Sequence, residues 1–170
     1  DLLERLDVRG QSLLHGLVAD RAITRITTGA FVEVNVNGQH VRTIAMTPVR
    51  GAPLLSALGD VDGFQHTDIT KVPALMYQQP NWGSSNSIDY AELNPADVAR
   101  TGNGDASSPA TNDAAFSTND GANWFAASSQ PSGVTGGGTI AMAADGSAEV
   151  WSPAGAGVYS STTFGSSWTA

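Results

Sequence analysis

Residues Gly59-Asp60-Val61-Asp62-Gly63-Phe64-Gln65-His66 place two carboxylates, an imidazole, an aromatic ring and two glycines within eight positions, and Asp68 follows closely. Carboxylates this near one another suit general acid/base work, in which one group gives a proton while another takes one. Asp60, Asp62, His66 and Asp68 together also form an oxygen-rich set that could hold a hard cation such as calcium, although no EF-hand spacing follows. Asp and Gly are equally ordinary turn residues, so spacing alone reads as well as an acidic surface turn. The apolar run Pro53-Leu54-Leu55-Ser56-Ala57-Leu58 lies directly ahead. A strand feeding a glycine-bounded turn puts the acids on a loop at a strand end, where binding and catalytic groups concentrate.

The elements that must position this turn differ between the two parts of the chain. Residues 1 to 50 carry six of the eight basic residues and five of the sixteen acids, a net charge of +1. Residues 51 to 170 carry two and eleven, a net of −9, and eleven of the twelve aromatic rings. Two compositions in one chain predict two units, an N-terminal segment over 1–48 and a second over 49–170. The overall charge of −8 argues against a nucleic-acid partner, whose backbone is held by clustered Lys and Arg. No apolar run approaches the roughly 20 residues that span a bilayer, and no basic-then-apolar signal segment opens the chain. There is no cysteine, which removes disulfides, thiolate metal sites and thiol catalysis together.

In the first unit, Leu2, Leu3, Leu6, Leu13, Leu14, Leu17 and Val18 make a loosely helical apolar stripe, interrupted by Gly10 and Gly16. Val32, Val34 and Val36 then alternate with polar neighbours, and Asn37-Gly38 leads into Gln39-His40-Val41-Arg42-Thr43-Ile44. Asn-Gly tolerates positive φ at both centres of a two-residue turn, so this stretch predicts a β-hairpin. His15 and His40 stand apart from any acid or serine pattern and read as structural.

From about Val49 the chain turns to short strands broken by Gly, Ser, Asn and Pro. Strands are expected at 54–58, 74–77, 87–92, 98–101, 114–117, 124–128, 139–143, 148–151 and 157–161. Turn signals every 8 to 12 residues predict an all-β fold. Within it, Ser117-Thr118-Asn119-Asp120-Gly121-Ala122-Asn123-Trp124 and Ser161-Thr162-Thr163-Phe164-Gly165-Ser166-Ser167-Trp168 align in Ser, Thr, Gly and Trp, 44 residues apart. A repeat of that length with about four strands per unit is the signature of propeller blades. The fold expected for 49–170 is therefore a partial β-propeller of two to three blades.

The two copies resemble the Asp-box hairpin of sialidase-like propellers, Ser-x-Asp-x-Gly-x-x-Trp, with Asn119 and Thr163 where that pattern has its aspartate. More specifically, the 57–66 run, Lys71-Val72-Pro73, 87–95, 133–139 and Val150-Trp151-Ser152-Pro153 together resemble glycoside hydrolase family 74. These are the xyloglucanases, inverting endo-β-1,4-glucanases with two propellers and one catalytic aspartate from each.

The resemblance implies a secreted hydrolase that acts on xyloglucan or a related polysaccharide and uses no cofactor. Its Gly-Asp-x-x-Gly-Phe turn puts the catalytic role on Asp60, with the partner expected in another propeller. Asp62 and Asp68 are the local candidates for a substitute partner. Inversion needs two carboxyls roughly 6.5 to 9.5 Å apart on opposite sides of the scissile bond. Phe64, Trp82 and Tyr90 are the nearest rings for stacking on sugar faces, Trp82 foremost because it sits in a polar loop, and His66 is expected to bond ring hydroxyls. An incomplete propeller leaves exposed sheet edges, which predict either a homo-oligomer or edges covered by residues 1 to 48. Two other readings stay open: a non-catalytic carbohydrate-binding or structural propeller piece, and the metal-binding acidic loop.

Overall fold

A computed structural model describes residues 31–36, 39–46, 53–59, 62–68, 70–104 and 112–170, the first two runs by their backbone alone. The apolar stripe over 2–18, His15, the Asn37-Gly38 turn and Asp60 lie outside the described residues, as does the side chain of His40.

Among the described residues, eleven strands form three antiparallel sheets. The first holds β1 (Phe31–Val36), β2 (Gln39–Met46), β3 (Leu54–Ala57) and β4 (Gly63–His66) in that order. The second holds β5 (Ser84–Ala91), β6 (Asn94–Asn103), β7 (Ala114–Ser117) and β8 (Phe125–Ala126). The third holds β9 (Gly136–Met142), β10 (Glu149–Ala154) and β11 (Tyr159–Ser161), and a bridge from Ser160 to Thr169 starts a fourth strand. Each sheet is an up-and-down meander, and the three do not close on one another, so the fold is all-β and partial-propeller-like. Among the described residues there is no helix.

β1 and β2 pair from Phe31 opposite Ile44 to Val36 opposite Gln39, the two arms of the expected hairpin. β2 also pairs with β3, from Ile44 opposite Ala57 to Met46 opposite Leu55. One expected strand is absent: 74–77 is irregular chain, with Leu75 74% exposed and no partner strand. One strand was not expected, since β4 begins at Gly63 inside the acidic run. Ala57 pairs with Gly63 there, and a Cβ on Gly63 would run into the Ser56 carbonyl and the Tyr77 ring. Only glycine fits this close approach.

Two apolar clusters fill the spaces between successive sheets. Leu55 and Ala57 of the first sheet meet Ile88, Val98 and Ala115 of the second, with Tyr77, Trp82 and Trp124. Ala99, Ala114 and Phe116 of the second then meet Ile140 and Trp151 of the third, with Trp168 packed alongside. The loops 117–124 and 161–168 supply the lids of these clusters in the same way. Ser117 Oγ accepts from Gly121 N at 2.9 Å and Ser161 Oγ from Gly165 N at 3.1 Å. Asn119 Oδ1 accepts from Asn123 N at 2.9 Å, and Thr163 Oγ1 from Ser167 N at 3.1 Å. Gly121 and Gly165 have φ of 74° and 72°, in the left-handed region, and each packs on the sheet before its own: Gly121 on Leu55, Gly165 on Phe116 and Ala127. The repeat read in the sequence is thus one loop used twice.

Candidate functional site

Between β3 and β4, Leu58 N donates to Asp62 O at 3.1 Å. Asp62 turns inward and is fully buried. Its Oδ1 accepts from Ser85 Oγ at 2.7 Å and forms an ion pair with the Arg100 guanidinium, while Oδ2 accepts from Trp82 N at 3.1 Å. Arg100, on β6 and also fully buried, donates its other terminal nitrogen to Pro80 O at 2.6 Å. The guanidinium lies 4.8, 4.3 and 4.6 Å from the ring centroids of Tyr77, Trp82 and Trp124. A planar, delocalised cation suits such a stack. Burial, the largest influence on both members of the pair, raises the Asp62 carboxyl above its ordinary value and lowers Arg100 to about 10, so the arginine stays cationic at neutral pH. With both oxygens engaged, Asp62 is neither a second catalytic carboxylate beside Asp60 nor a cation ligand. That expectation is corrected.

Trp82 corrects a second expectation. It is 1% exposed, because the polar loop around it keeps Gln78, Gln79 and Asn81 outward while the indole turns in beneath Arg100. Its space is made by Gly102, where a Cβ would strike the indole. It offers no face to a sugar. Tyr90 is half-buried on β5 against the first apolar cluster, away from the turn.

Along β4 the side chains of Phe64 and His66 share a face, with ring centroids 6.1 Å apart. Phe64 is half-buried and sits nearest the turn. His66 is 5% exposed, and its Nε2 is 3.0 Å from Ser56 Oγ. Burial holds its pKa below the ordinary 6.5.

Beyond the far end of β4, a cavity of about 630 Å³ opens among Gln65 to Asp68, Lys71 to Gln79 and the 121–124 loop. Asp68 stands at its rim, paired with Lys71 Nζ at 2.8 Å and accepting from Thr70 N at 3.0 Å and Thr70 Oγ1 at 2.6 Å. These contacts, the Lys71 bond first, hold the Asp68 carboxyl well below the usual range. A carboxylate so stabilised is ionised at neutral pH and holds no proton to give. The structure thus separates the predicted residues: His66 and Asp68 at the cavity, Asp62 and Trp82 in the core, Phe64 between them.

Arg100 and Tyr77 were not read as site residues. Arg100 left one signal in the sequence: it and Lys71 are the two basic residues after position 50, and Arg100 follows the apolar pair Val98-Ala99. Tyr77, whose hydroxyl donates to Phe64 O at 2.8 Å and whose N–H donates to Gly63 O at 2.9 Å, left none.

No protein-family model matches the chain. It is 42% identical over 144 residues to a Paenibacillus xyloglucanase, covering 82% of this chain and 14% of that protein. It is 35% identical over 144 residues to a xyloglucanase of Acetivibrio thermocellus, covering 82% of this chain and 17% of that one. Its fold is similar to the crystal structure of a GH74 xyloglucanase from Xanthomonas campestris, with a TM-score of 0.69 and 35% identity over 75% of this chain and 18% of the other. A Niastella koreensis GH74 enzyme is similar with a TM-score of 0.61 and 33% identity, over 79% and 18%. The chain therefore spans less than a fifth of the length of these relatives.

Proposed function

We propose, from the premise that this chain is GH74 xyloglucanase-like, that it carries one catalytic carboxylate, Asp60, of an inverting hydrolase of β-1,4-glucan chains such as xyloglucan. The observation that supports this most directly is the fate of the turn's other acid. Asp62 is spent on Arg100, Ser85 and the Trp82 amide, which fasten the turn to β5 and β6 and leave Asp60 as its remaining carboxylate. Catalytic groups need supports whose own positions are locked, and a buried ion pair walled by three rings supplies one.

In this reading Asp60 works with a second carboxyl on the opposite side of the glycosidic bond, one protonating the leaving oxygen and the other activating water. Asp62, with both oxygens engaged, does not fill that second role, and Asp68 is not the proton donor, so the partner is expected from another part of the cleft. Phe64, half-buried beside the turn, offers the apolar contact for a sugar face. The substrate is a polysaccharide and the place of action extracellular, by similarity to the xyloglucanases. Val150 on β10 and Val158 just ahead of β11, 48% and 59% exposed, offer a face on which a further sheet or a second copy would pack. The test is reducing-sugar release from xyloglucan by the protein and by Asp60→Ala, with sedimentation to establish the assembly state. Equal rates in the two proteins would remove Asp60 from the mechanism.

A further inference from the structure

Glu149 begins β10 on the face that looks into the core. Buried and exposed residues alternate along this strand, and Glu149 shares its face with Trp151 of the second apolar cluster. It is 1% exposed. The repeated loop shows what else can fill this place. Ser117, which starts the first copy, lies opposite Val98 on β6, and Ser161, which starts the second, lies opposite Glu149 on β10. Val98 is buried to the same degree. The first loop closes over a valine, so the second needs no carboxyl in order to form. What Glu149 has and Val98 lacks is a proton to lose.

A buried carboxylate ordinarily sits beside a cation. Among the described residues Glu149 has none, since the two basic residues after position 50, Lys71 and Arg100, pair with Asp68 and Asp62. The charged group nearest it on β6 is Asp97, whose Oδ2 accepts from Asn94 Nδ2 at 2.7 Å. On β9 Met142 stands opposite it, and Asp89 of β5 takes the Met142 N–H at 2.8 Å. Asp145, in the hairpin between β9 and β10, is exposed and accepts from Ser147 N at 3.0 Å. The 161–168 loop contributes hydrogen bonds from the Ser161 side chain and the Phe164 backbone. Glu149 Oε2 is buried with no partner among the described residues. An ionised Glu149 would therefore face Asp97 without a compensating charge, whereas the neutral acid leaves only an uncharged oxygen unpaired. Burial first, and Asp97 in the same direction, raise its pKa above the ordinary 4.5 by more than the loop's hydrogen bonds lower it.

We propose that Glu149 is a proton-operated latch on the 161–168 loop: the neutral acid holds the loop closed over the second apolar cluster, and ionisation releases it. The loop is the part that yields, because the polar contacts of Glu149 come from it. With it goes Trp168, which packs on Trp151 with ring centroids 5.0 Å apart and donates to Ser129 O at 3.0 Å. In the open loop Glu149 meets water and titrates near its ordinary 4.5, so above that value the closed form binds the extra proton. Closure is strongest in acid and weakens as the pH rises through the folded value.

Amide hydrogen exchange on the 170-residue protein, expressed as protection relative to unstructured chain, provides the test. The probes are Gly165 N–H, which donates to Ser161 Oγ, and Gly121 N–H, which donates to Ser117 Oγ in the sister loop. From about pH 4.5 to about pH 8, Gly165 protection in the parent falls roughly 3- to 10-fold relative to Glu149→Gln, which stays neutral, one pKa unit being a factor of ten. Gly121 protection is the same in parent and variant at each pH. Glu149→Val, which copies the sister sheet, follows Glu149→Gln and separates loss of the charge from any effect of the new amide. One pH course for Gly165 in all three proteins overturns the latch. Parental protection that rises with pH relative to both variants overturns its sign, and an equal parental loss at Gly121 overturns the loop as the moving part.

Discussion

Asp62 and Arg100 form an ion pair in which neither side chain is exposed, and the pair ties the β3–β4 turn of one sheet to the second strand of the next. Removing one partner leaves the other charged and buried, which costs about 3 to 5 kcal/mol. Asp62→Ala and Arg100→Ala should each lower the stability read from urea unfolding by that order, and the double variant Asp62→Leu/Arg100→Met should lose much less than their sum. Additive losses would show that the two groups are not coupled.

The loops 117–124 and 161–168 make the same bonds 44 residues apart, so their substitutions should behave alike. Ser117→Ala and Ser161→Ala each strip the acceptor from a buried glycine N–H, worth about 1 to 3 kcal/mol. Asn119→Asp puts a charge on an oxygen that already accepts from Asn123 N, and charged acceptors bond more strongly, so that variant should melt higher than the parent. Thermal unfolding of the three variants measures both effects. A stable Ser161→Ala beside an unstable Ser117→Ala would break the equivalence.

Gly63 sits where a side chain would meet the Ser56 carbonyl and the Tyr77 ring. Gly63→Ala should therefore destabilise by about 1 to 3 kcal/mol through forced displacement of β3. Unfolding of Gly63→Ala in urea checks this, and a variant as stable as the parent would mean that the approach is looser than described.

His66 provides a pH dependence with a definite sign. Its folded pKa lies below the ordinary 6.5, so between those two values the unfolded chain binds the extra proton and the folded one does not. Stability is fully present above pH 6.5 and falls as the pH drops below it toward the folded pKa. The charged groups nearest it at the cavity, Asp68 and Lys71, are already paired and hold their charges through this window. Urea midpoints between pH 8 and pH 5 should therefore decline, with a shallower slope in His66→Gln. An equal slope in the two proteins would assign the acid lability elsewhere.

The strands and the repeated loop were legible because their signals are local. Ala114–Ser117 is a strand at the expected residues, and the Ser, Gly and Trp spacing of 117–124 and 161–168 carries its own hydrogen bonds. What was misread depends on partners distant in sequence. Trp82 looked like a surface ring because its neighbours are polar, yet Gly102 and Arg100 make its place indoors. Asp62 looked like a catalytic or metal-binding acid until Arg100, 38 residues on, took it. Residues 74–77 have strand-like composition, but their Tyr77 spends its N–H and its hydroxyl on Gly63 O and Phe64 O rather than on a ladder.

The central claim is that Asp60 does chemistry on a β-1,4-glucan while Asp62 only holds the turn. It is tested most directly by reducing-sugar release from xyloglucan, comparing the parent with Asp60→Ala at matched folded concentration. Loss of a general acid or base predicts a fall of roughly 100- to 10,000-fold with the urea midpoint unchanged. A variant that hydrolyses at the parental rate would contradict the account.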